Sequence, residues 1–156
     1  MSQAVPESTA QGYSPPSVTQ FSVFLDNRVG KLLELVRLFD EAPSVHLVAF
    51  SVLETSDHAV VRMVPNNADA ARMLLREHGL PFSEFDLLIV ELCDDHTLTS
   101  LCLYLLGAEL NIRFAYPLMI ERNGTPTIAL AVDDQTLAGQ ILRKKNFRLL
   151  GEEDLP

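Results

Sequence analysis

Residues 20–39 read QFSVFLDNRVGKLLELVRLF. Apolar residues alternate at Phe21, Val23 and Leu25, the period of a strand with one buried face. The alternation stops at Asp-Asn-Arg-Val-Gly, residues 26–30, and apolar residues resume at helical spacing with Leu32, Leu35, Val36 and Phe39. A strand therefore turns into a helix at 26–30. The turn has an ordinary explanation, with Asn27 near the helix cap and Gly30 relieving backbone strain. It also has a functional one. A helix start presents unpaired N–H groups and about half a positive charge, which suit a carboxylate.

Outward from this stretch the pattern predicts a strand over 20–25, a helix over 31–41, strands over 45–54 and 58–64, a helix over 67–78 and a strand over 82–91. The order is β-α-β-β-α-β. It then recurs: a strand over 88–93 that shares or continues the last one, a helix over 96–108, strands over 111–120 and 126–132, a helix over 134–145 and a final strand near 147–150. Aligned directly, VHLVAFSV from Val45 lies over LNIRFAYP from Leu110 at an offset of 65. Leu32, Leu35 and Val36 match Leu98, Leu101 and Cys102 at an offset of 66, and Ala70, Met73 and Leu74 match Ala138, Ile141 and Leu142 at 68. The expected organisation is a flexible tail over 1–17 followed by two units, 18–86 and 87–156.

Each split β-α-β unit forms a four-stranded antiparallel sheet with both helices on one face, so the fold class is α+β with two ferredoxin-like units. The second strand of such a unit lies at an edge, which suits Pro117 because proline removes a ladder donor. The corresponding stretch VHLVAFSVLE, residues 45–54, is almost uncharged, and pairing of this edge with another sheet is expected. The helix LTSLCLYLLGAEL, residues 98–110, is apolar on most sides and is expected to be covered by the other unit or by a second chain.

The net charge of -9 and pI near 4.8 argue against nucleic acid or an anionic membrane as partner, since both need a basic footprint. The basic cluster Arg143, Lys144, Lys145 and Arg148 reads as a solvated helix C-terminus favoured by the dipole. Cys93 and Cys102 read as buried, reduced thiols of a cytosolic protein. The four histidines, His46, His58, His78 and His96, are scattered without metal-ligand spacing, so neither a metal nor a cofactor is expected. No apolar stretch is long enough to span a membrane. Residues 1–17 carry no Lys or Arg and no apolar core, so a secretory signal is not expected and the cytoplasm is the expected location.

At these residues the chain resembles the ACT domain in tandem form. The resemblance rests on FLDNRVGKLLELVRLF, residues 24–39, which is similar to the family's strand, Asp/Asn-Arg-Pro-Gly-x-Leu turn and helix, with Val29 where proline is usual. In the second unit it rests on GAELNIRFAY, residues 107–116, and on FRLLGEEDL, residues 147–155. It implies a regulatory, non-catalytic protein whose sheets pair side by side. It also implies a small effector, most often an amino acid, bound between the first loop of one unit and the edge strand of its partner. Carried onto this chain, the ligand residues are Asp26, Asn27, Arg28, Val29, Gly30, Lys31 and Leu32, with His46 and Asn111 at the edge-strand entries. Gly30 would admit the ligand close to the backbone, and Asp26 or Asn27 would accept from an α-amino group.

The second unit departs from the pattern. Its loop reads Cys93-Asp94-Asp95-His96-Thr97, without glycine, and Asp95 is expected as the cap of the following helix. A homodimer through sheet edges or helices is expected. So is a biosynthetic enzyme as partner, and the resemblance suggests acetolactate synthase because its regulatory subunits belong to this family. An enzyme is the weaker reading: no Ser-His-Asp order, Gly-x-Ser-x-Gly or Walker loop occurs, and Glu34, Asp40, Glu41, Asp94, Asp95 and Glu109 lie mostly on faces expected to be exposed. The remaining alternative is a protein-interaction subunit with no small-molecule ligand.

Overall fold

The computed structural model describes residues 15–26, 28–119 and 125–156. The element order is β1 (Val18–Asp26), α1 (Lys31–Asp40), β2 (Leu47–Glu54), β3 (His58–Pro65), α2 (Ala68–Glu77), β4 (Phe82–Glu91), α3 (Leu98–Gly107), β5 (Ile112–Pro117), β6 (Thr127–Val132), α4 (Gln135–Lys144) and β7 (Leu149–Leu150). Every predicted helix and strand is present, with ends shifted by a few residues. Most of the tail expected over 1–17 lies outside the described residues.

Among the described residues the strands pair antiparallel in the order β2-β3-β1-β4-β6-β5, with β7 also beside β4. β4 serves both ends of this sheet. Phe82 to Leu87 pair with β1, whereas Leu88 to Glu91 pair with β6 and, over Ile89 and Val90, with β7. Leu87-Leu88-Ile89-Val90 is all apolar because the strand is buried on both faces there. β2 and β5 end the strand order, so Pro117 does sit in an edge strand.

Side-chain alternation divides the interior into three layers. Phe21, Val23, Leu25, Val61 and Met63 face Leu35 and Phe39 of α1 and Ala71 and Leu75 of α2. Leu88, Val90, Leu130 and Val132 face Leu101 and Leu105 of α3 and Ala138 and Leu142 of α4. Between these lies a third cluster in which Val48, Ala49 and Val64 meet Leu118, Ala129 and Ala131. Strands at opposite ends of the order thus share one core, so the sheet curls until its ends meet and the four helices lie on the outside. The Met119 N–H donates to the Val48 carbonyl across that closure at 2.7 Å. Among the described residues, the pairing expected of β2 at this edge, with another strand end, is represented by this contact at its start.

Polar groups fix how the ends meet. The Arg62 guanidinium lies 4.1 Å over the Phe114 ring. The Tyr116 hydroxyl donates to Oε1 of the buried Gln20, and the Gln20 amide donates to Ser22 at 3.2 Å. Burial pushes the Tyr116 phenol pKa up, against the pull of Arg62 in the other direction.

The second-helix alignment is corrected by one residue. Ala71 and Leu75 are the buried counterparts of Ala138 and Leu142, while Met73 is exposed, because α2 and α4 start after Asn67 and Asp134, whose side chains accept from Ala70 and Leu137 N–H. The predicted cover of α3 is also corrected for the single chain. Leu101 and Leu105 are buried, but Leu98, Leu103 and Leu106 stay exposed, because the sheets rather than the helices meet in the middle.

Candidate functional site

β1 ends at Asp26, one residue past Leu25 of the helix-side stripe, and the chain turns into α1 through residues 28–30. The Arg28 N–H donates to the Asp26 carbonyl at 2.8 Å, and the Lys31 N–H to the Arg28 carbonyl at 3.2 Å. Gly30 takes the N-cap position with φ 93° and ψ -17°, a left-handed conformation that glycine reaches without steric cost. Having no side chain, it gives α1 no side-chain cap of its own at the positive end of the helix.

A cavity of about 250 Å³ opens beside this turn, lined by Leu25, Asp26, Arg28, Lys31, Leu32, Val52, Glu54 and Ala59. That is near the lower end of ligand pockets, roughly 300–1,000 Å³, and in proportion to a molecule the size of an amino acid. Cross-strand register explains the far wall. Glu54 pairs with Ala59 and Ala59 with Leu25, while Val52 pairs with Val61, so Val52 and Glu54 share the helix-side face at the open edge of β2. The rim holds both signs of charge. Arg28 lies 3.8 Å from Asp26, and Lys31 lies 3.6 Å from Glu34. Exposed pairs of this kind are worth little, so a ligand can replace them at small cost.

The structure thus gathers Asp26, Arg28, Lys31 and Leu32 around one cavity, whereas Gly30, between Arg28 and Lys31 in the chain, is not one of its lining residues. Val29 points fully into solvent at the tip of the turn, and Asn27 lies outside the described residues. Within one chain His46 and Asn111 do not line this cavity. His46 lines a second one, about 340 Å³, at the far end of α1 with Val36, Phe39, Asp40, Leu47, Phe50 and Met119. Its backbone N–H donates to Asn66 Oδ1 at 2.8 Å. Asn111 is bound in the same way in the other half, where its N–H donates to Asp133 Oδ2 at 3.2 Å. Glu54 and Val52 were not anticipated from the sequence. The signal was the hairpin 54–59, whose short turn sets the register that carries Glu54 to the end of β1.

The equivalent turn between β4 and α3 is built differently. Thr97, not Asp95, caps α3: its hydroxyl accepts from the Ser100 N–H at 3.1 Å, and the Ser100 hydroxyl accepts from the Thr97 N–H at 3.0 Å. Asp94 and Asp95 fall three and two residues before the cap, inside a tight loop closed by backbone bonds between Cys93 and His96. The cysteines are a further correction, since both are exposed. Cys93 lies beyond the end of β4, and Cys102 lies on the outer stripe of α3 with Leu98 and Leu106.

The profile of the ACT domain pair matches residues 16–156. The chain belongs to the ACT domain pair family. Among solved structures, a protein of Bacteroides thetaiotaomicron has a similar fold, with a TM-score of 0.79 at 19% identity over 90% of this chain and 96% of that one. Aspartokinase alpha and beta subunits align over 90% of this chain and 98% of theirs, at 12% identity and a TM-score of 0.47. No curated protein is significantly similar in sequence. Among the described residues of this ACT domain pair, no group of three or more His, Cys, Asp or Glu side chains could hold a metal and no helix is long and apolar enough to cross a membrane.

Proposed function

We propose that this ACT domain pair is a non-catalytic regulatory protein that binds an amino acid at the start of α1. The observation that carries this reading is the open N-terminus of α1 beside a cavity with an apolar wall and charges of both signs. The α-carboxylate would meet the first turn of α1 with Lys31 and Arg28, the α-ammonium would meet Asp26 and Glu54, and the side chain would lie against Leu25, Leu32 and Val52. The two units are 18–86 and 87–156, each a ferredoxin-like sheet, and β4 passes from one to the other. Exposed Val52 and Leu53 on the β2 edge suit a homodimer, in which a partner's edge strand with Asn111 or His46 would complete the cavity. A cytoplasmic amino-acid biosynthetic enzyme, acetolactate synthase among the candidates, is the natural target of such a sensor.

A thermal-shift screen of the twenty amino acids tests this. One amino acid at about 100 times its Kd adds roughly 2.7 kcal/mol of stability. Lys31→Gln and Glu54→Gln abolish the gain while leaving the unliganded melting temperature nearly unchanged. No stabilisation at millimolar concentrations would sink the reading. A second reading, a docking subunit without a ligand, is favoured by the exposed Leu98, Leu103 and Leu106 of α3 and predicts that null screen together with retained binding to an enzyme partner.

A further inference from the structure

The turn before α3 brings a thiol, an imidazole and a carbonyl into line. Cys93 Sγ lies 3.3 Å from His96 Nδ1, and His96 Nε2 lies 2.9 Å from the Lys145 carbonyl oxygen. A carbonyl can only accept, so in the neutral ring Nε2 carries the proton and Nδ1 offers its lone pair to the Cys93 thiol. The spacing is held from both sides. Cys93 and His96 exchange backbone hydrogen bonds of 2.9 and 3.1 Å, and the imidazole packs edge-on against buried Phe147 with ring centroids 4.6 Å apart. The thiol itself is open to solvent.

Nucleophile, base and a third group that orients the base is the arrangement that activates a side chain for attack. We infer that Cys93 is a covalent modification site, a nucleophilic thiol that forms mixed disulfides with neutral or cationic low-molecular-weight disulfides, with His96 as its base. Cys93 Sγ attacks one sulfur of the reagent as its proton passes to His96 Nδ1. The reagent's S–S bond breaks, a Cys93–S bond forms, and the departing thiolate takes the proton from the imidazolium and leaves as a thiol. One disulfide is consumed and one is made, so no further oxidant is needed. Asp94 and Asp95, both exposed in the same turn, disfavour an anionic reagent. This inference stands on its own geometry and does not depend on the Gly30 cavity.

Cys102 is a control built into the same chain. It too is exposed, and no imidazole contacts it among the described residues. The test follows release of the chromophore from neutral dithiodipyridine by Cys102→Ser, which keeps Cys93, and by Cys93→Ser, which keeps Cys102. Cys93 reacts on the order of tenfold faster in the native protein, the two thiols react alike in guanidinium, and His96→Gln placed in the Cys102→Ser chain removes the excess. The native-to-guanidinium rate ratio at Cys93, which cancels the intrinsic leaving-group difference, is higher for cationic cystamine than for the dianionic dithiobis-nitrobenzoate. Equal native rates, an excess that survives His96→Gln, or the reverse charge order would overturn the assignment. Should His96→Gln fail to fold, nitrogen NMR of the unaltered protein decides the base: a proton on Nε2 supports it, and a proton on Nδ1 of the neutral ring overturns it.

Discussion

The two helix starts, before α1 and before α3, occupy the same place in a repeated pattern and solve the same physical problem in opposite ways. Before α3, Thr97 and Ser100 bond reciprocally to the first-turn N–H groups, and the positive end of the helix is satisfied within the protein. Before α1, Gly30 stands where the capping side chain would be, and the helix end faces a cavity. One site closes on itself and the other leaves its donors for something else. The two starts share the order strand, turn, helix and differ in the cap, and that difference is why the proposed ligand is put at α1.

If the scaffold is common, equivalent core truncations must cost alike. Leu35→Ala in α1 and Leu101→Ala in α3 each remove a buried side chain facing a sheet, and each should lose roughly 2–5 kcal/mol by urea denaturation. A loss confined to one helix would break the equivalence. The caps should then differ in kind. Gly30→Ala meets no atom within 4 Å but forces a Cβ into the φ of 93°, at a cost on the order of 1–3 kcal/mol. Thr97→Ala loses about 1 kcal/mol through its hydroxyl and leaves any amino-acid stabilisation of the protein unchanged. A Thr97→Ala variant that lost such stabilisation would move the ligand to the other half.

A smaller asymmetry lies on the flanks. Arg72 in α2 binds Glu84 in β4 through two hydrogen bonds of 2.6 and 2.8 Å, and it also reaches Asp69, whereas the positions 67 residues later are Gly139 and Gly151. The Arg72 hydrogen bonds hold the Glu84 carboxyl pKa below its usual range, outweighing desolvation. A lowered folded pKa contributes stability above the unfolded pKa that is lost as pH falls through the folded one. Arg72→Met should therefore cost about 1 kcal/mol at neutral pH and almost nothing once pH falls below the carboxylate range, read as converging melting temperatures. Parallel melting curves at every pH would remove the ion pair as the cause.

Local patterns made the elements and half of the cavity legible. Alternation at Phe21, Val23 and Leu25 and helical spacing at Leu32, Leu35, Val36 and Phe39 need only neighbours in the chain; the strand stripe and Leu35 and Phe39 are buried as read, whereas Leu32 is exposed and Val36 only half-buried. Gly30 was legible because a left-handed residue at a helix start calls for glycine. Glu54 was not, because its place beside Asp26 depends on a hairpin register and on β3 pairing with β1. Asp95 was a false cap, since helix entry depends on the Cys93–His96 closure that delays α3 until Thr97.

By itself the sequence determined which segments are strands and helices, that the β-α-β-β-α-β order recurs, and that only one of the two corresponding loops carries a glycine. Those follow from periodicity and local hydrogen bonding, which act over a few residues. Only the tertiary structure decided that the sheet curls through β4 until Val48 and Met119 meet, that the helices face outward, and that Cys93 lies against His96 while His96 is held by Lys145. These depend on burial and on partners distant in the chain, where a preference in any one segment is overruled by the surface available to cover it.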